Sequence, residues 1–203
     1  ANKNKLSAAL GKLKYLVIID PLETETSEFW QNYGPYNDAK PESIQTEVFR
    51  LPAACFAEEE GSFTNSSRVA IWKQKAIDAP GEGKVDSEIM ARLFVKLRAM
   101  YAKDGGAFPD PIAGLAWDYV QANEPSSAEL LREINGRAIG DVYAPPDPKD
   151  PKAAPTVLVK AGQQLPGFAM LRDDGSTACG NWLYSGCWTE AGNMTARRDL
   201  SDP

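Results

Sequence analysis

The stretch Lys14–Ile19 (Lys-Tyr-Leu-Val-Ile-Ile) narrows the choice of fold more than any other part of the chain. It is a short, continuous apolar run, rich in β-branched residues, and it stops abruptly at Asp20-Pro21. A strand with one wet face alternates apolar and polar residues. A run without alternation reads as a strand buried on both faces, as in a parallel sheet. Asp20, Pro21 and Glu23 then fit the start of a short helix running to Trp30: an N-cap, a proline in the first turn and an acid three residues after the cap. Thr46–Leu51 is a second strand candidate through Val48, Phe49 and Leu51. Strand, helix and strand in succession predict an α/β domain with parallel pairing.

Further along, Tyr33–Pro41 and the polar, glycine-containing Glu58–Arg68 read as loops, with Val69–Trp72 as a short strand. Asp86–Lys103 is a helix: Ile89, Leu93, Leu97, Met100 and Tyr101 recur at helical spacing. Asp86 or Ser87 can cap it, and Gly105-Gly106 ends it. Ser126–Ile134 is another, with Ser126 and Glu129 as a capping box and Asn135-Gly136 as a stop. The Pro-, Lys- and Asp-dominated segment 144–155 is a stiff exposed connection. Thr156–Lys160 then alternates as a strand, with Phe168–Leu171 as its expected partner, and Gly175–Trp188 has no clean period. The expected organisation is a Rossmann-like, three-layer α/β domain with a mostly parallel sheet over 1–143, the connection 144–155, and a small β and irregular extension over 156–203.

Several chemistries are excluded. The 203 residues carry a net charge of −6, so no basic surplus exists to bind nucleic acid through its phosphates or to hold an anionic membrane surface. No apolar run approaches the roughly 20 residues of a membrane-spanning helix. Histidine is absent, which removes Ser-His-Asp and Cys-His catalysis and His-ligated metals. Cys55, Cys179 and Cys187 form no CxxC, so no metal or iron–sulfur site is expected within the chain. A Cys179–Cys187 disulfide and buried free thiols are both open readings. GxGxxG, GxxxxGK[ST] and GxSxG are all missing, and no catalytic residue is assigned. The opening, Ala1–Gly11, has no initiator Met and no signal-peptide pattern; it reads as the interior of a longer polypeptide.

Four features in order carry a resemblance. They are Ile19-Asp20-Pro21 followed by Thr24-Glu25-Thr26; Val48-Phe49-Arg50-Leu51-Pro52-Ala53; Glu58-Glu59-Glu60-Gly61-Ser62 followed by Asn65 and Arg68; and Pro80-Gly81-Glu82 followed by Asp86. The series resembles the third domain of molybdopterin oxidoreductases that bind two guanine dinucleotides around molybdenum or tungsten. Asp20-Pro21-Leu22, Thr24 to Trp30, Gln45 to Pro52, Leu171 to Gly175, Gly192-Asn193 and Ala196 to Asp199 are similar to the large subunit of formate dehydrogenases within that family. The similarity covers the chain from about Lys14 to its end.

The resemblance implies a set of roles. The two residues closing the first strand, Ile19 and Asp20, would contact a guanosine part of the cofactor, and Asp86 and Glu59 match further contact positions. A carboxylate can accept side by side from the N1–H and N2–H₂ edge of guanine. The competing role for Asp20 and Asp86 is N-capping of the helices predicted to follow them. Glu59 departs from the lysine of several relatives, which could meet a phosphate; a glutamate cannot. Asn65 and Arg68 read as loop-fixing residues. The resemblance further implies a formate-oxidising parent subunit of periplasmic anaerobic respiration, with a 4Fe-4S cluster not ligated by this chain. The partners implied are the remaining domains of that subunit and an iron–sulfur electron-transfer subunit. The chain alone would be inactive. A nitrate- or polysulfide-reductase type of molybdopterin enzyme, or a stand-alone nucleotide-binding or interaction module, is the alternative.

Overall fold

The apolar run becomes strand β1, Tyr15–Asp20, hydrogen-bonded in parallel to β2, Glu47–Pro52, in a register from Tyr15↔Glu47 to Asp20↔Pro52. The computed structural model describes residues 2–31, 40–150 and 152–196. Most of the expected 33–41 loop and the Arg197-Arg198-Asp199 segment lie outside these. Along β1 the side chains alternate between faces, as a pleated strand requires. Tyr15, Val17 and Ile19 share one face with Phe49 and Leu51 of β2, and all five are exposed. The expectation of burial on both faces therefore does not hold within this chain. Two strands have only one neighbour each, and among the described residues nothing covers this face.

The chain packs as two compact units, residues 1–59 with 75–90, and residues 60–74 with 91–203. The first unit opens with helix α1, Lys3–Leu10, capped by the Asn2 side chain, which accepts from the Lys5 N–H at 3.0 Å. The helix expected over 23–30 is absent, and hydrogen-bonded turns replace it. Thr24 and Ser27 are the reason. The Thr24 N–H donates to Ser27 Oγ at 2.8 Å, Ser27 N–H to Thr24 Oγ1 at 3.3 Å, and Ser27 Oγ to the Thr24 carbonyl at 2.9 Å. Side chains that satisfy neighbouring backbone groups compete with the helical ladder. After β2 the parallel pairing continues by one bridge, Ala53↔Lys84, with Lys84 N–H donating to the Pro52 carbonyl at 3.2 Å and Ala54 N–H to the Lys84 carbonyl at 2.7 Å.

In the second unit the expected 58–68 loop is half strand. Strand β3, Gly61–Thr64, and β4, Ala70–Lys73, form an antiparallel hairpin. Asn65 sets its turn by accepting from the Ser67 and Val69 N–H groups, while Arg68 takes φ 62°. Polarity at 58–68 signals the turn but hides the strand, because both faces of a two-stranded hairpin can be wet. Helix α2, Asp86–Asp104, begins among the residues of the first unit, continues into the second from residue 91, and stops where expected, at Gly105 with φ 70°. The short α3, Asp110–Ala113, follows. Helix α4, Ser127–Ile134, carries the expected capping box: Ser126 Oγ accepts from Glu129 N–H at 3.2 Å, and the Glu129 carboxylate accepts from Ser126 N–H at 3.0 Å.

Beyond α4, the pairing among the described residues is short and antiparallel. Strand β5, Arg137–Ala138, and β6, Val142–Tyr143, pair across the Pro-rich segment with later residues: β6 with β7, Val157–Val159, and β5 with β8, Thr177–Ala178. Strands β9, Trp188–Thr189, and β10, Gly192–Asn193, close a small hairpin. The expected strand at 168–171 is a 3₁₀ turn over Phe168–Met170. Ala138, Val142, Val159 and Leu165 form the buried cluster of this unit, with Met170 and Leu171 packed against it.

Candidate functional site

The edge formed where β1 and β2 end is a row of three chain segments. Asp20 faces Pro52 in register, its carbonyl accepts from the Ala53 N–H at 3.3 Å, and Ala53 bridges Lys84. Parallel strands bring their carboxyl ends to one side, where open α/β sheets place ligands. At about 4.8 Å between neighbours, this row sets Asp20 and Lys84 roughly 10 Å apart. Asp86 begins α2 two residues beyond Lys84. Thus the two acids singled out in the sequence, 66 residues apart by their numbers, share one edge of one unit.

Neither acid is an N-cap. Asp20 lies on β1, and no helix follows it; its Oδ1 accepts from the Leu22 N–H at 2.9 Å, closing an Asx turn over the Asp-Pro-Leu corner. Asp86 is the first helical residue itself, and the Val85 carbonyl accepts the Ile89 N–H. Asp20 lines a cleft of about 170 Å³ with Ile18, Pro21, Leu22, Glu23, Ser27 and Arg50 among its neighbours. An ionised carboxylate offers about four acceptor sites. The Leu22 N–H takes one of them, so acceptor capacity remains on both oxygens for a donor edge such as that of guanine. Ligand pockets span about 300–1,000 Å³, and the cleft is smaller than that.

Ile19 and Glu59 are placed differently. Side chains alternate along β1, so Ile19 stands on the open apolar face, opposite Asp20. Glu59 follows the Cys55–Glu58 turn and is half-buried and already engaged within the fold. The structure therefore joins Asp20 and Asp86 at one edge, and Ile19 shares it only through its backbone.

The sequence pattern gives Arg50 no role of its own. It lies opposite Ile18 in register and reaches over the turn that follows β1, donating to the carboxylates of Glu23 and Glu28, the latter at 3.2 Å. Hydrogen bonding and the charge of Arg50 hold the Glu23 carboxyl below its ordinary range, and the same contact to Glu23 raises the Arg50 guanidinium. No periodicity points to this trio, because only the register of β1 against β2 puts Arg50 there. The three thiols are free; Cys179 is exposed and Cys187 is buried, which pushes its thiol up. Among the described residues no group of three or more Cys, Asp or Glu side chains is placed to hold a metal ion, and no helix is long and apolar enough to cross a membrane.

Residues 49–96, from β2 into α2, match the family model "Molybdopterin oxidoreductase". Over its whole length the chain is 52% identical to the formate dehydrogenase-O major subunit of Escherichia coli (strain K12) and 50% identical to the formate dehydrogenase major subunit of Haemophilus influenzae. It is 38% identical over 98% of its length to the formate dehydrogenase 2 subunit alpha (cytochrome c-553) of Nitratidesulfovibrio vulgaris. The chain belongs to the molybdopterin oxidoreductases. Within them it is homologous to a segment of the formate dehydrogenase major subunits, and it spans about a fifth of their length, 18–19% in these three.

Proposed function

We propose that this chain is the part of a formate dehydrogenase catalytic subunit that forms one wall of the cleft for a molybdopterin guanine dinucleotide. One observation carries the reading: the row Asp20, Pro52–Ala53 and Lys84 brings Asp20 and Asp86 to the carboxyl edge of a parallel pair. The Asp20 carboxylate would accept from the guanine N1–H and N2–H₂ edge, and Asp86 would take a second donor of the dinucleotide. Ile19 would offer backbone groups, and Glu59 would shape the loop beside them. The cofactor, carrying molybdenum or tungsten, would supply the two-electron oxidation of formate to carbon dioxide, and this chain would supply binding and orientation.

The same reading completes the sheet. The uncovered face of β1 and β2 is what a parallel strand pair shows when its flanking layer comes from polypeptide outside this stretch. The Rossmann-like, three-layer domain would form in the whole subunit. Its partners would be the other domains, which hold the metal ligands, and a subunit carrying iron–sulfur clusters that takes the electrons; placement in the periplasm is part of the same proposal.

Calorimetric titration of the chain with guanosine diphosphate, against adenosine diphosphate as control, tests the site. Guanosine-selective binding that is lost in Asp20→Ala is expected. Equal binding of both nucleotides, or an Asp20→Ala variant that binds as the parent does, would remove Asp20 from the site.

A further inference from the structure

We infer that Arg50 is a positioning residue for Asp20: with Glu23 and Glu28 it locks the turn after β1 and so fixes where the Asp20 carboxylate points. This inference rests on the proposed contact between Asp20 and a guanine dinucleotide.

The geometry makes a closed ring. β1 and β2 are hydrogen-bonded in register, so the backbones of Ile18 and Arg50 are fixed against each other. From Arg50 the guanidinium crosses to Glu23, just past the Asp-Pro-Leu corner, and to Glu28, one turn later. Asp20 is a member of that ring, between β1 and the corner, and lines one cleft with Glu23 and Arg50. Its carboxylate accepts from the Leu22 N–H at 2.9 Å, a bond made to the corner itself. Whatever moves the corner therefore moves the carboxylate.

The chemistry of the three side chains fits a clamp. A planar guanidinium donates in fixed directions and can hold two carboxylates at once, which an ammonium does less well. The Glu28 side chain is only 14% exposed, so one end of the clamp sits in the fold. Ser27, 1% exposed, is tied to Thr24 between the two glutamates and stiffens the segment they anchor. Arg50 lines the cleft beside Asp20. Without Arg50, Glu23 and Glu28 lose the cation they share, and the corner loses its tie to β2.

A direct contact from Arg50 to a phosphate is the rival role, and the glutamates separate the two. In the full-length subunit that contains this chain, purified as enzyme, molybdenum and acid-released guanosine monophosphate are measured per subunit. The variants are Arg50→Ala, Glu23→Gln with Glu28→Gln, Asp20→Asn, and Asp20→Asn with Arg50→Ala. Thermal unfolding and limited proteolysis check that each variant is folded. Positioning predicts that Arg50→Ala and the double glutamine variant each lower cofactor retention about tenfold, the low end of what residues supporting a ligand contribute. It also predicts that Arg50→Ala adds nothing on top of Asp20→Asn, since the two act as one unit. If the double glutamine variant keeps its cofactor while Asp20→Asn loses it, the clamp is overturned and the Asp20 contact survives. Losses that add in the combined variant overturn it too. Full retention in Asp20→Asn removes the Asp20 contact, and the clamp falls with it. Should Arg50→Ala not fold, the glutamine pair, which keeps shape and leaves Arg50 in place, still decides.

Discussion

Asn135 shows what one buried amide can organise. It is fully buried, Nδ2 donates to the Gly136 carbonyl and Gln164 Oε1, each at 2.8 Å, and Oδ1 accepts from the Gly186 and Trp188 N–H groups. One side chain thus ties the end of α4 to two later segments. Gly186 serves the same junction with φ 97°, and a Cβ there would lie 2.6 Å from the Pro166 carbonyl oxygen. Asn135→Ala takes the partner from two backbone N–H donors and two acceptor oxygens. It is expected to destabilise the second unit by about 3 kcal/mol, read as a lowered midpoint in urea unfolding; a loss under about 1 kcal/mol would mean that the backbone groups find other partners.

At the level of elements, the N-terminus of α4 is held by charge-assisted hydrogen bonds. The Val120 N–H, then the Ser126 hydroxyl and N–H, pull the Glu129 carboxyl below its ordinary range. A carboxyl lowered in the folded state stabilises above its unfolded pKa, and that stability is lost as pH falls through the folded value. Glu129→Gln should therefore unfold at lower temperature than the parent at pH 7, and the gap should close as pH drops below about 4, the ordinary glutamate range. A gap that persists unchanged in acid would show that the carboxylate charge is not what holds the cap. The capping box is written in four adjacent residues, which is why Ser126 and Glu129 are legible without a structure. The turn at 24–30 shows the opposite: acids and a proline resemble a helix start, but the Thr24–Ser27 exchange of hydrogen bonds wins locally.

For the molecule as a whole, the main feature is apolar surface left open. Tyr15, Val17, Ile19, Phe49 and Leu51 form one exposed face, and Leu93, Leu97 and Met100 form an exposed stripe on α2. Uncovered patches of this kind mark contact surfaces, here matched by relatives about five times longer. The 203-residue chain is expected to bind a hydrophobic dye and to self-associate with rising concentration in sedimentation velocity. On the proposed reading, such association reflects faces that the rest of the subunit would cover, rather than a native oligomer. A monomeric, dye-silent chain would show that these faces are closed in solution.

Local pattern determined what lies within a few residues of itself. The apolar run fixes β1, the 3.6-residue spacing fixes α2, and the box at Ser126–Glu129 fixes α4; the ordered motifs from Asp20 to Asp86 were enough to point to the family. Tertiary structure decided what depends on register and on segments far apart in the chain. Among these are the row from Asp20 to Lys84, the place of Arg50 over Glu23 and Glu28, the β3–β4 hairpin inside a polar stretch, and the Asn135 junction. The physical reason is that a periodicity records which face of an element is apolar, but not which partner it meets or at which residue the pairing starts. That choice is made by hydrogen bonds between distant backbones, and it alone turns two separate aspartates into one edge.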